Sequence, residues 1–161
     1  TNIGLTKSLN ILLNQSKGKF IARQDADDIS HKDRFKYQMN FIKEFDLDGC
    51  TTRAKIKNTK KVIPNLSFYI SPNLLINYKN PFVHGSLMIK KEKLLEVNNY
   101  DEKFYYAQDY KLMKDLINNK SKVKIYKEAL YELNMINNIS KNFQKEQKYY
   151  ANCVRKNIIP K

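Results

Sequence analysis

Lys19-Phe20-Ile21-Ala22 follows a glycine, turns apolar, and within three residues gives way to Asp25-Ala26-Asp27-Asp28. A run so short before polar residues take over suits a buried strand rather than a helix. Three carboxylates therefore stand at a strand's C-terminal end, and in an open α/β sheet ligands bind at that edge. Asp25 and Asp27 are two apart, so on extended backbone they are expected to point to the same side. Two carboxylates that close repel unless protonated, solvated or shared by a cation. A hard divalent ion such as Mg²⁺ or Mn²⁺ suits their oxygens. The plain alternative is a solvated acidic turn capping the next helix.

The flanking chain fits a helix-and-sheet pattern. Asn2-Ile3-Gly4 is turn chemistry, and a helix from about Thr6 carries Leu5, Leu9, Leu12 and Leu13 on one side before Ser16-Lys17-Gly18 stops it. This gives a helix-then-strand unit without its preceding strand, so an upstream segment is expected. Ser30 with Asp33 starts a second helix, with Phe35, Met39, Ile42 and Phe45 at helical spacing. Arg34, one turn in, is expected to neutralise Asp28 from the rim. Residues 49–57 alternate like a half-exposed strand, and Ser71-Pro72 opens a short helix burying Leu74, Leu75 and Tyr78, which Asn80-Pro81 ends. Phe82 to Ile89 is expected as a strand, its Gly85 allowing close backbone approach. His84 on it suits a hydrogen-bonded structural role better than a catalytic one. Lys91 to Val97 suits a helical turn or two. Asp109 stands near the start of a helix bearing Leu112, Leu116 and Ile117, where a carboxylate can cap the N-terminus. Val123 to Ile125 and Ala129 to Ile136 are strand-like. Beyond Ser140, Phe143, Gln147, Tyr150, Val154 and Ile158 mark one side of a basic amphipathic helix, with Lys141, Lys145, Lys148, Arg155 and Lys156 around it. Its stripe can pack on the domain or lie on an anionic bilayer, packing being favoured.

At 161 residues the chain is the size of one domain with a real core. Thirty Lys plus Arg against sixteen Asp plus Glu give +14, which calls for a polyanionic neighbour: nucleic acid, an anionic membrane surface or phosphate-bearing substrates. Cys50 and Cys153 match no metal spacing and suggest a reducing compartment. No apolar run has the length of a membrane span, and no signal peptide is evident. The first residue is Thr, so a fragment boundary is expected there.

Three stretches stand in a fixed order. They are Asn2-x-Gly4-Leu5 with Ser8-Leu9-Asn10; Gly18 to Arg23 leading into Asp25-Ala26-Asp27-Asp28, with Arg34 and Gln38 after; and His84-Gly85-Ser86 followed by Tyr100-Asp101 and Gln108-Asp109-Tyr110. Together they resemble family 2 glycosyltransferases, inverting enzymes that use nucleotide sugars. The resemblance implies an α/β, GT-A-like (Rossmann-like) mixed sheet flanked by helices, with residues 1–139 a partial catalytic domain and 140–161 a C-terminal amphipathic helix. It also implies that Asp25 and Asp27 bind the donor's diphosphate through Mg²⁺ or Mn²⁺, with Asp27 the more direct ligand, and that Asn10 lies on the donor side. Asp109 would be the catalytic base, with His84, Gly85 and Gln108 on the acceptor side. Gln108 departs from the family, which commonly has another acid before the base. The strand-helix-strand units that open family members, at about 30 residues each and roughly 80 in all, have no counterpart here, so an N-terminally truncated domain is expected, and whether it is active alone is left open. The partners implied are a nucleotide-sugar donor, a UDP-sugar, and a glycan or lipid-linked acceptor in surface polysaccharide or lipooligosaccharide synthesis. The expected location is cytoplasmic, peripheral on the inner face of an anionic membrane. Two other readings compete: a basic nucleic-acid-binding protein, suggested by the charge and eleven tyrosines, and a non-catalytic remnant serving as a partner subunit. Three acids at a strand end weigh against nucleic acid.

Overall fold

The computed structural model describes residues 3–135 and 143–161. Along the chain run α1 (Leu5–Gln15), β1 (Phe20–Ala22), β2 (Ile29–Ser30), α2 (Arg34–Glu44), β3 (Gly49–Ile56), β4 (Val62–Ile63), α3 (Pro72–Leu75), β5 (Met88–Lys90), α4 (Lys91–Glu96), α5 (Gln108–Asn118), β6 (Val123–Leu133) and α6 (Gln144–Lys156). Asn2, Ile136, Ser140, Lys141 and the boundary between 139 and 140 lie outside the described residues.

The six strands form one mixed sheet in the order β1-β5-β3-β6-β2, with β4 on β3. β3 runs parallel to β6 and antiparallel to β5 and β4. It is the central strand rather than a half-exposed one. Thr51 and Thr52 look polar in the sequence, yet both are fully buried, as are Cys50 and Ala54. The two strand-like stretches at 123–125 and 129–136 are one strand up to Leu133. Opposite β3 the register jumps from Tyr126 to Ala129, a bulge that breaks the alternation without ending the strand.

Both faces of the sheet are covered. Ile89 joins the main core with Leu13, Leu94, Leu112, Leu116, Ile125 and Val154, whereas its neighbour Met88 joins Ile42, Leu47 and Cys50 beneath α2. Successive strand residues must face opposite sides. α6 packs into the main core through Cys153 and Val154, with Tyr150 and Ala151 against it. Phe143 and Ile158, at the ends of the expected stripe, are exposed.

Two local expectations need correcting. The strand expected from Phe82 begins only at Met88, because His84–Ser86 forms a 3-10 turn. There Ser86 Oγ donates to Val83 O at 2.8 Å and accepts from Thr52 N at 2.9 Å, so a side chain replaces the ladder. α3 buries Leu75 but leaves Leu74 and Tyr78 exposed, since one helical turn is too short to carry a continuous apolar face.

Candidate active site

The carboxylates after β1 open onto a cleft of about 1310 Å³ that His84, Gly85, Gln108 and Asp109 also line. Residues up to 84 positions apart in sequence thus meet at one end of the sheet. Asn10 is not among the lining residues. Its Nδ2 donates to Tyr100 O at 2.9 Å and its Oδ1 accepts from Tyr100 N at 3.1 Å, which ties α1 to the chain before α5.

The acids do not sit on extended backbone. Asp28 N donates to Asp25 O at 3.2 Å, closing a turn over Ala26 and Asp27. The same-side expectation for Asp25 and Asp27 therefore loses its backbone basis, although both line the cleft. Asp25 Oδ1 pairs with Arg23 Nη2 at 2.5 Å, and Asp25 N donates to Tyr131 Oη at 3.0 Å. Asp28 accepts from Asn134 N at 2.7 Å, and burial raises its pKa. Asp27 is exposed.

Arg34 does not neutralise Asp28. It is 1% exposed, and its guanidinium donates to Arg23 O at 2.8 Å and Gly85 O at 3.2 Å while lying 5.2 Å from the Tyr131 ring centre. α2 aims its first turn under the sheet, so Arg34 is a buried brace rather than a rim residue. One turn on, Gln38 Nε2 donates to Ser86 O at 2.8 Å and Cys50 O at 3.2 Å. Residues i and i+4 share a helix face, and here that face fixes the 84–86 turn. Gly85 is needed for this closeness: a Cβ there would meet Tyr131 Oη at 2.5 Å and Asp25 Oδ2 at 3.0 Å. The close backbone approach expected at Gly85 is thus to Tyr131 and Asp25.

Asp109 lies in the first turn of α5, after Ala107 in a left-handed conformation at φ 53°. Its Oδ2 accepts from Asn80 Nδ2 at 2.9 Å. Burial raises its pKa, opposed by backbone amides at the helix start, the Asn80 bond and the charge of Arg23. The group thus stands in the first helical turn, two residues after the N-cap Ala107 rather than at the cap itself, as a cleft-facing, more basic carboxylate. His84 Nε2 lies 2.7 Å from Tyr100 Oη. Burial holds its pKa well below the ordinary histidine value, with Arg23 adding to the effect, so the imidazole is neutral at pH 7. Burial likewise pushes the Tyr100 phenol up to about 12.

Arg23 and Tyr100 enter the sequence reading only as parts of the family-like stretches, with no role of their own. Arg23 was the one within reach, as a cation two residues before a carboxylate. Asn80 was visible only as a helix stop, and nothing local marks Tyr131.

The model for the family described as "Glycosyl transferase family 2" matches residues 1–139. The chain belongs to that family. Among curated relatives of this family member, the amylovoran biosynthesis glycosyltransferase AmsE of Erwinia amylovora is 30% identical over 117 residues, covering 69% of the chain and 43% of that protein. A UDP-Gal:alpha-D-GlcNAc-diphosphoundecaprenol beta-1,3-galactosyltransferase of Escherichia coli is 28% identical over 134 residues, covering 73% and 44%. The chain spans less than half the length of these relatives. Among solved structures, TarS 1-349 of S. aureus in complex with UDP-GlcNAc superposes with a TM-score of 0.71 at 19% identity, over 87% of this chain and 41% of that one. The mannosyltransferase PcManGT from Pyrobaculum calidifontis, in complex with GDP-Man and Mn²⁺, gives 0.64 at 13% identity, over 92% and 41%. At such identities the likeness is one of fold, and it bears out the GT-A-like mixed sheet with flanking helices. The nucleic-acid alternative is not favoured, since the matched family and these relatives are glycosyltransferases.

Proposed function

We propose that this cleft serves transfer of a sugar from a nucleotide-sugar donor, a UDP-sugar, to a hydroxyl of a glycan or lipid-linked acceptor, with inversion at the anomeric carbon. The observation that carries the reading is one cleft shared by Asp25, Asp27 and Asp109, on a chain whose family consists of glycosyltransferases. Relatives named for amylovoran and O-antigen biosynthesis support a role in surface polysaccharide or lipooligosaccharide synthesis, at the inner face of the cytoplasmic membrane.

Asp109 takes the proton of the acceptor hydroxyl while its oxygen attacks the anomeric carbon from the face opposite the nucleotide. The bond from that carbon to the diphosphate oxygen breaks, and its electron pair leaves with the nucleotide. A carboxylate whose pKa is raised by burial is a better base for this than a solvated one. Asn80 orients the carboxyl, and the surrounding Gln108, His84 and Gly85 form the acceptor side.

A divalent cation fits the donor side. Among the described residues no cluster of three or more His, Cys, Asp or Glu could hold a metal. Mg²⁺, however, is usually held by one or two carboxylates together with substrate phosphates rather than by an all-protein cage. Asp27, exposed in the cleft, and Asp25 are such a pair. Bound there, Mg²⁺ or Mn²⁺ would neutralise charge growing on the departing diphosphate.

The deciding experiment is Asp109→Asn, with transfer from a UDP-sugar to an acceptor glycan and donor affinity measured separately. Transfer should fall by about 10²- to 10⁴-fold, the usual worth of a general base, with donor affinity nearly unchanged. Asn keeps the shape of the side chain and loses its basicity, so transfer at the wild-type rate would leave Asp109 a structural residue of the first helical turn alone.

A further inference from the structure

Asp25 already has a cation. Arg23 pairs with it at 2.5 Å, and the Arg23 side chain is only 10% exposed. Its Nε and Nη1 are buried without a well-aligned hydrogen-bond partner, and the guanidinium also interacts with the Tyr100 hydroxyl. The nearby Tyr100 hydroxyl is engaged by His84 at 2.7 Å. Beneath lies a second guanidinium, that of Arg34, donating to the carbonyl of Arg23 itself. Among the described residues no carboxylate pairs with Arg34. Two guanidinium groups therefore stand beside Asp25, that of Arg23 lining the cleft and that of Arg34 buried behind it.

This arrangement bears on how a divalent ion would load. An ion arriving alone must share Asp25 with a guanidinium in direct contact and so meets like charge at short range, where Coulomb repulsion is steepest. Arriving with a diphosphate, it brings anionic oxygens that offset the repulsion. We propose that Arg23 makes cation binding at Asp25 conditional on a nucleoside diphosphate, as a positioning residue that keeps the bare metal off the carboxylate. This rests on the reading of Asp25 and Asp27 as a metal site.

The test is a Mn²⁺ titration of the chain, followed by the electron paramagnetic resonance of free Mn²⁺. It is run with and without UDP and corrected for the Mn²⁺–UDP complex in solution. Without UDP, Arg23→Met should bind Mn²⁺ more tightly than wild type by about fivefold or more, the effect of removing one like charge a few ångströms away in a solvated site. Arg23→Lys should behave like wild type. UDP should strengthen Mn²⁺ binding far more in wild type than in Arg23→Met. A variant that had merely lost its fold would bind less tightly, so the expected gain cannot come from damage. Equal or weaker binding by Arg23→Met without UDP overturns the inference. So does a wild-type affinity that UDP leaves unchanged, a result that needs no variant. Mn²⁺ binding that ignores Arg23 leaves the metal reading of Asp25 and Asp27 standing. No Mn²⁺ binding by any of the proteins, even with UDP, removes that reading and this inference with it.

Discussion

Asp109 meets two demands that oppose each other: burial makes its carboxyl a better base, and burial also makes its charge costly to the fold. Its folded pKa is raised, so ionisation is harder in the folded than in the unfolded chain. The stability this group allows is complete below the ordinary Asp range and is lost as pH rises through the folded value. Asp109→Asn should therefore be more stable than wild type at neutral pH, with the gap closing as pH falls below the usual Asp pKa. Thermal unfolding across that range checks it, and a constant gap would mean that the charge carries no burial cost. Gly85 makes the opposite point, that the site depends on an absent side chain. Gly85→Ala would force the Tyr131 ring or the Asp25 carboxylate aside, at about 1–3 kcal/mol for overpacking, measurable as a lowered unfolding temperature. At this scale Asp25, Asp27 and Asp109 were legible because carboxylates at a strand end or helix start are conspicuous. Arg34 misled because arginine favours carboxylates, whereas here the fold supplies it with the carbonyls of Arg23 and Gly85.

The long helices α1, α2 and α5 could be located from their apolar spacing, but not their buried sides: Leu5, Leu12, Phe35 and Phe45 are exposed while Arg34 and Gln38 are buried. β3 could be located as a strand although its burial does not alternate, and the pieces that shape the cleft could not be read at all. β2 and β4 have two residues each, too few for any period, and they exist only because a neighbouring strand offers an edge. The 84–86 turn is held by α2 from a distance of about 50 residues in sequence, which no local pattern reveals. That dependence can be measured. Gln38→Met removes the donor from Ser86 O and Cys50 O, leaving buried carbonyls unsatisfied, and should cost about 1–3 kcal/mol. Chemical denaturation measures the loss, and an unchanged midpoint would show that the turn holds itself. At the other side of the core, Lys114 Nζ donates to Val154 O at 2.9 Å and Arg155 O at 3.0 Å, closing the C-terminal end of α6 as a cation should. Lys114→Met should loosen α6 first, visible as faster amide exchange in residues 150–156 than in α5.

For the whole molecule, the +14 charge and the packed stripe of α6 separate two ways of meeting an anionic membrane. Tyr150, Cys153 and Val154 are committed to the core, which leaves the surface lysines, and the exposed Phe143 and Ile158 near the helix ends, to do any binding, with the lysines expected to dominate. Association with anionic vesicles should therefore fade as ionic strength rises and the Debye length drops below about 8 Å. Sedimentation that survives high salt would point to inserted apolar side chains instead. The order of the chain has a consequence in time as well as in space. Asp25 N reaches Tyr131 Oη, and Asp28 Oδ1 reaches Asn134 N, each across 106 positions. Closing so long a loop is entropically costly until the strands between are in place. The cleft is thus expected to assemble late on the folding path, and pulsed hydrogen–deuterium exchange at the Asp25 amide, protected no earlier than β3 and β6, would serve as a clock for the completion of the whole domain.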